Sequence, residues 1–101
     1  MEYKMVLEIA VLPVERAKQE AFESAARIAL ADVFPKANGF IRGELRHGAE
    51  RSDHYVLLLE WQTIEDHIEG FVGSELFARW AELTDGLIGG EPVVDHWESV
   101  A

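Results

Sequence analysis

Residues 54–61, HYVLLLEW, set Tyr55, Leu57, Leu59 and Trp61 on one side of an extended chain and His54, Val56, Leu58 and Glu60 on the other. Residues 3–12 repeat the arrangement: Tyr3, Met5, Leu7, Ile9 and Val11 alternate with Lys4, Val6, Glu8, Ala10 and Leu12. Strands that are apolar on both faces need a cover on each. This requirement constrains the fold most, because the rest of the chain supplies helices for only one face.

The remaining elements follow from their periodicity. Pro13 ends the first strand. Residues 15–33 predict a helix, with Phe22, Ala25, Ala26, Ala29 and Val33 on one buried stripe and Glu15, Arg16, Lys18, Gln19, Glu20 and Glu23 on the wet side. Pro35 and Gly39 close it. Residues 40–47, FIRGELRH, predict a strand of mixed faces, joined through a polar turn at 48–53 to the strand at 54–61 as an antiparallel hairpin. Thr63, followed three residues later by Asp66, is a helix-start signal of the capping-box kind. The helix it opens carries Ile64, His67, Ile68, Phe71 and Val72, and Gly73 and Ser74 break it. Ser74 caps a further helix bearing Leu76, Phe77, Trp80 and Leu83. Gly86, Gly89 and Gly90 loosen the connection to a last strand at 92–100.

The order β-α-β-β-α-β predicts an α+β chain with a ferredoxin-like sandwich: a four-stranded antiparallel sheet with the helices on one face. The bare face then calls for a second subunit whose sheet packs upon it, so a homodimer is expected. One domain over residues 1–101 is the natural count for this length.

Composition narrows the partners. Lys plus Arg is 9 and Asp plus Glu is 19, which gives 9 − 19 = −10. That charge argues against nucleic acid and anionic membranes, and it suits a neutral or apolar ligand better than an acidic one. Absence of cysteine excludes disulfides, thiolate nucleophiles and zinc–thiolate sites. Glu2 and Glu8 bracket the first apolar run, which reads as a strand rather than a secretory leader. No stretch reaches the ~18 apolar residues of a membrane helix. A cytoplasmic location is expected.

His67 falls within the apolar stripe of its helix. Burial lowers the basicity of an imidazole, and a neutral imidazole in an apolar pocket can act as a general base. The plain alternative is a packed histidine whose ring bonds a backbone carbonyl. Trp61, Phe71, Trp80 and Phe22, with Trp97, form a dense aromatic set that either lines a ligand pocket between sheet and helices or fills the core. His96 and Glu98 share one face of the last strand, a pair that needs help from elsewhere to hold a metal; no metal and no cofactor is expected. Arg42, Glu44 and Arg46 read as a solvated face, with an arginine that holds a substrate anion as the alternative. There is no phosphate loop, nucleophile elbow or glycosidase carboxylate pair.

Several stretches together resemble the antibiotic biosynthesis monooxygenase family of dimeric α+β barrels: MVLEIAVLPVERAKQEAFESAA, GFIRGEL, LLLEWQTIEDHIEGFVGSELFARW and VVDHWESV. The resemblance implies a homodimer with a shared barrel and a ligand cleft in each subunit. Relatives include cofactor-independent oxygenases of polycyclic phenols or quinols, in which the deprotonated substrate itself passes an electron to dioxygen. In such a scheme His67 would remove a phenolic proton, while Trp61, Phe71, Trp80 and Phe22 shape the pocket and exclude water. Haem-degrading relatives use an Asn, Trp and His set. Here the haem-ligating position reads Trp80 and the first strand offers Glu8 in place of asparagine, so haem degradation is disfavoured. Other relatives are isomerases of small signalling molecules or have no known activity, and a non-catalytic binding dimer is a further reading.

Overall fold

A computed structural model describes residues 4–101. Strand β1 (Val6–Pro13) leads through a short 3₁₀ turn into helix α1 (Gln19–Asp32), and a second 3₁₀ turn containing Pro35 leads to β2 (Phe40–His47) and β3 (His54–Trp61). A π-helical segment (Asp66–Phe71), helix α2 (Glu75–Leu83) and β4 (Val93–Glu98) complete the chain. The sheet order is β2-β3-β1-β4, every pair antiparallel, which is the ferredoxin-like arrangement that the element order predicts. Tyr3, assigned to the first strand from sequence, lies outside the described residues. Among the described residues no helix is long and apolar enough to cross a membrane.

Alternation decides which side chains meet the helices. Val6, Glu8, Ala10 and Leu12 of β1 are buried on the helix side, as are Tyr55, Leu57, Leu59 and Trp61 of β3. Phe22, Ala25, Ala26 and Ala29 of α1 close over them. Complete burial of a side chain such as Phe22 or Leu59 contributes roughly 1.5–3 kcal/mol. The mixed character of β2 has a local cause. A bulge between Phe40 and Arg42 sets Phe40 opposite Trp61 on the helix side and Arg42 opposite Glu60 on the other.

The opposite sheet face carries Leu7, Ile9, Val11, Val56 and Leu58 at intermediate burial, with Val93 and Trp97 more than half exposed. A cavity of about 560 Å³ opens there, lined by Leu7, Leu58, Trp97, Glu98 and the ion pair of Arg42 with Glu60. Arg42 and Arg46 are thus matched by acids of this chain, Arg46 through Glu44 at 3.3 Å.

The segment after Trp61 departs from the expected α-helix. Thr63 does cap it, its Oγ1 accepting from the Asp66 N–H at 3.1 Å. Beyond Glu65, however, the winding widens, and the Val72 N–H bonds the His67 carbonyl at 3.0 Å. This i→i+5 bond is the mark of a π-helical turn. His67 and Phe71 are buried together in this segment, while Ile64, Ile68 and Val72, placed by helical spacing on the same stripe, are partly exposed. Ser74 caps α2 as expected, its Oγ accepting from the Leu76 N–H at 3.2 Å.

Candidate functional site

Glu8 is the one acid on the helix-facing side of β1, and only 5% of it is exposed. The β1–β4 register sets it directly opposite His96. The β1–β3 register sets Trp61 opposite Val6, one step along the same face, and the indole Nε1–H reaches across to donate to Glu8 Oε1 at 3.0 Å. From above, the π-helical segment lowers His67 onto this group. Its ring stacks on Trp61 with centroids 5.3 Å apart, its Nε2 lies 3.3 Å from Glu8 Oε1, and its Nδ1 lies 2.7 Å from His96 Nε2. Four elements thus converge on a buried carboxyl and two imidazoles in a row.

Burial sets their proton affinities. Removal from water pushes the Glu8 carboxyl up to about 7, against a smaller opposing effect of the Trp61 hydrogen bond. Burial, and then the neighbouring His96, hold His67 down at about 4. His96 is also held below its ordinary value by burial, with Asp95 acting against that. The contact of Glu8 with His67 is therefore no ordinary ion pair: near neutrality the imidazole is uncharged, and the carboxyl gains and loses the proton. Neither ring nitrogen of His67 bonds a backbone carbonyl among the described residues, so its packing differs from that of a simple core histidine.

Four of the five aromatic residues singled out from sequence fall into two touching pairs, whereas Trp97 lies exposed on the other sheet face. Phe22 meets Trp80 at 6.4 Å, and Phe71 meets Trp61 at 5.6 Å. Phe34, which sequence reasoning missed, joins them, lying 5.2 Å from Trp80 and 5.5 Å from Phe71. Phe22, Phe34 and Trp61 are essentially fully buried and Trp80 partly so, which makes the set a continuous apolar layer beneath the helices. A hollow of about 120 Å³ borders Phe71, between Ala37, Gly70 and Leu76. The larger cavity on the other sheet face shares no lining residue with the cluster.

His96 and Glu98 do share a strand face, but their neighbours differ. Glu98 is exposed and lies 3.7 Å from Lys4, whereas His96 turns to His67. Among the described residues no three His, Asp or Glu side chains converge on a point suited to a metal ion. The two nitrogens of His67 face different partners, and the cluster forms a row rather than a cage.

Residues 5–83 match the antibiotic biosynthesis monooxygenase family. The chain belongs to that family. A Bacillus subtilis relative, the uncharacterized protein YczJ, is 36% identical over 96 residues, which span 95% of this chain and all of that protein. A crystal structure of a provisionally named antibiotic biosynthesis monooxygenase of Bordetella bronchiseptica is 28% identical and superposes with a TM-score of 0.92 over 97% of this chain and 99% of that one. A similarly named protein of Caulobacter crescentus, 20% identical with a TM-score of 0.83 over 98% of this chain and 92% of that one, shares the fold. Membership places the chain among monooxygenase-like proteins. Within the family match lie Glu8, Trp61 and His67, while His96 lies beyond it. Sequence pairs His96 with Glu98; what joins it to His67 instead is its register with Glu8, which a linear sequence does not display.

Proposed function

We propose that this family member is a cofactor-independent monooxygenase of a small, mostly apolar phenol or quinol, and that the cluster of His67 with Glu8 and His96 is its base. One observation carries the reading: an imidazole kept neutral by burial and placed in hydrogen-bond range of a carboxyl that changes charge near neutrality. Deprotonation of a phenol raises its electron density until it can reduce dioxygen directly. One oxygen atom then enters a ring carbon, and the other leaves as water with the two hydrogens that the ring and the hydroxyl give up. The protein's part is to take the first proton and keep bulk water away. Trp61 and Phe71 flank His67 on its dry side, and Phe22 and Trp80 extend the apolar layer behind them. A homodimer through the bare sheet face fits the exposed Val93 and Trp97 beside Leu7 and Leu58.

Oxygen uptake in the presence of a panel of phenols and quinols tests the reading, with His67→Ala and the larger His67→Gln as variants. Uptake by the parent protein that falls by about 10²–10⁴ in both variants, with the circular dichroism spectrum retained, is expected. Full turnover by either variant would make His67 structural. Substrate conversion without oxygen consumption would point instead to an isomerase that uses the same base.

A further inference from the structure

We propose that Glu8, His67 and His96 work as one proton relay in which His96 meets the substrate hydroxyl, His67 passes the proton inward by exchanging tautomers, and Glu8 keeps it. The substrate in this inference rests on the oxygenase reading; the relay itself rests on the geometry of the row.

His67 is poorly placed to meet a substrate alone. Its Nδ1 is taken by His96 and its Nε2 faces Glu8, so no ring nitrogen is left to point outward. It is 93% enclosed, being 7% exposed. An imidazole held so far below neutrality also cannot keep a proton it has taken. The neighbour that can is Glu8, whose affinity for a proton matches neutral pH. His96 is the member that reaches the outside. It sits half-buried on β4, a strand paired only with β1 among the described residues, and its Nδ1 makes no hydrogen bond among them. Val94, two residues before it on the same face, and Ile68, next to His67 in the chain, are each more than 40% exposed. The other polar groups around the row are few. Trp61 Nε1–H donates to Glu8 from β3, Asp95 adjoins His96 on the opposite strand face, and Glu98 on the same face is drawn to Lys4.

The step balances without an added reagent. At the start Glu8 is a carboxylate, and His67 and His96 each carry their hydrogen on Nε2. The substrate O–H bond breaks as its proton passes to His96 Nδ1. The His96 Nε2 proton moves to His67 Nδ1, and the His67 Nε2 proton moves to Glu8. At the end Glu8 is a neutral acid, both imidazoles are neutral with inverted tautomers, and the unit negative charge has moved from the carboxylate to the substrate oxygen. No imidazolium is left in the dry site. The substrate class follows: a molecule that binds as a neutral acid and whose hydroxyl is as acidic as a phenol, near ~10 for tyrosine. A hydroxyl as weakly acidic as water, near ~15.7, lies beyond the reach of Glu8.

Side-chain ¹⁵N spectra of the full-length protein, labelled at histidine and titrated from pH 6 to 8.5, test the relay without any substrate. His67 should change from the Nδ1–H to the Nε2–H tautomer as pH rises, and His96 should change with it at the same midpoint. Both changes should vanish from this range in Glu8→Gln. A His67 tautomer that stays fixed, or that changes while His96 does not, would overturn the relay. Oxygen uptake distinguishes this failure from that of the oxygenase reading. Uptake with phenols and no tautomer exchange would refute the relay alone; coupled exchange with no uptake would leave the relay standing and remove its oxygenase substrate. In the former assay His96→Gln should lose about 10²-fold or more in turnover, and full activity of that variant would place the substrate elsewhere.

Discussion

Replacement of Glu8 by glutamine should stabilise the protein progressively as pH rises, relative to the parent chain. An unfolded glutamate loses its proton near 4.5, whereas burial keeps the folded Glu8 protonated up to about 7. Between those values the folded chain holds a proton that the unfolded chain has released, so stability falls with rising pH by about 1.36 kcal/mol per pH unit. The whole window is worth ~3 kcal/mol by that slope. His67 acts in the opposite sense. Its ordinary value is 6.5 and its folded value about 4, so between them the unfolded chain carries the extra proton and stability rises with pH. His96, also lowered, adds to the sense of His67. In the parent chain the opposing slopes largely cancel from pH 4.5 to 6.5, and removal of one member exposes the other. Glu8→Gln should therefore gain ~3 kcal/mol on the parent between pH 4.5 and 7, and His67→Gln should lose a similar amount between pH 4 and 6.5. Urea unfolding at half-unit pH steps and fixed protein concentration would read both differences, which are large against a domain stability of about 5–15 kcal/mol. A Glu8→Gln difference constant to within ~0.5 kcal/mol across the window would refute the argument that burial has raised the affinity of Glu8 for its proton.

Two further outcomes are expected. Gly39 has φ +80°, and a Cβ built there would collide with the Asp66 carboxylate, so Gly39→Ala should cost ~1–3 kcal/mol, seen as a lower Tm by circular dichroism; an unchanged Tm would mean that the junction between the turn before β2 and the His67 segment is not as described. Light scattering of the parent protein at micromolar concentration should give twice the 11.4 kDa chain mass, and Trp97→Asp on the bare face should return it to a monomer; a parent that already measures 11.4 kDa would exclude the dimer.

Much of the architecture was legible because strands with regular alternation announce their own faces. The limits of β2 and β3 coincide with the sequence reading, and Ser74 and Thr63 cap the elements that their positions predict. The candidate site was less legible, for two physical reasons. Alternation places Glu8 with Val6, Ala10 and Leu12 on the buried side, but a lone acid in a strand does not reveal which strand will supply its neighbour; the antiparallel β1–β4 register brings His96, from the far end of the chain. Helical spacing that puts His67 on the inward side puts Ile64, Ile68 and Val72 there too, yet these are partly exposed, because a π-helical turn interrupts the regular period from which a stripe is read. Phe34 escaped notice because it lies in a short turn next to Pro35, outside any periodic segment, although it bridges the aromatic pairs.

The wide winding has a consequence for how such a site can be lost or gained. Hydroxyl caps at Thr63 and Ser74 pin the two ends of the stretch that carries His67. Between pinned ends, a change in the number of residues must be absorbed by the pitch of the backbone. Deletion of one residue between His67 and Ser74 would favour ordinary α-helical winding and would rotate the imidazole away from Glu8, although no member of the cluster had been altered. Spacing is thus as much a part of the site as the acid and the imidazoles. A homologue that keeps all of them but is one residue shorter in this interval should carry the same letters without the same cluster.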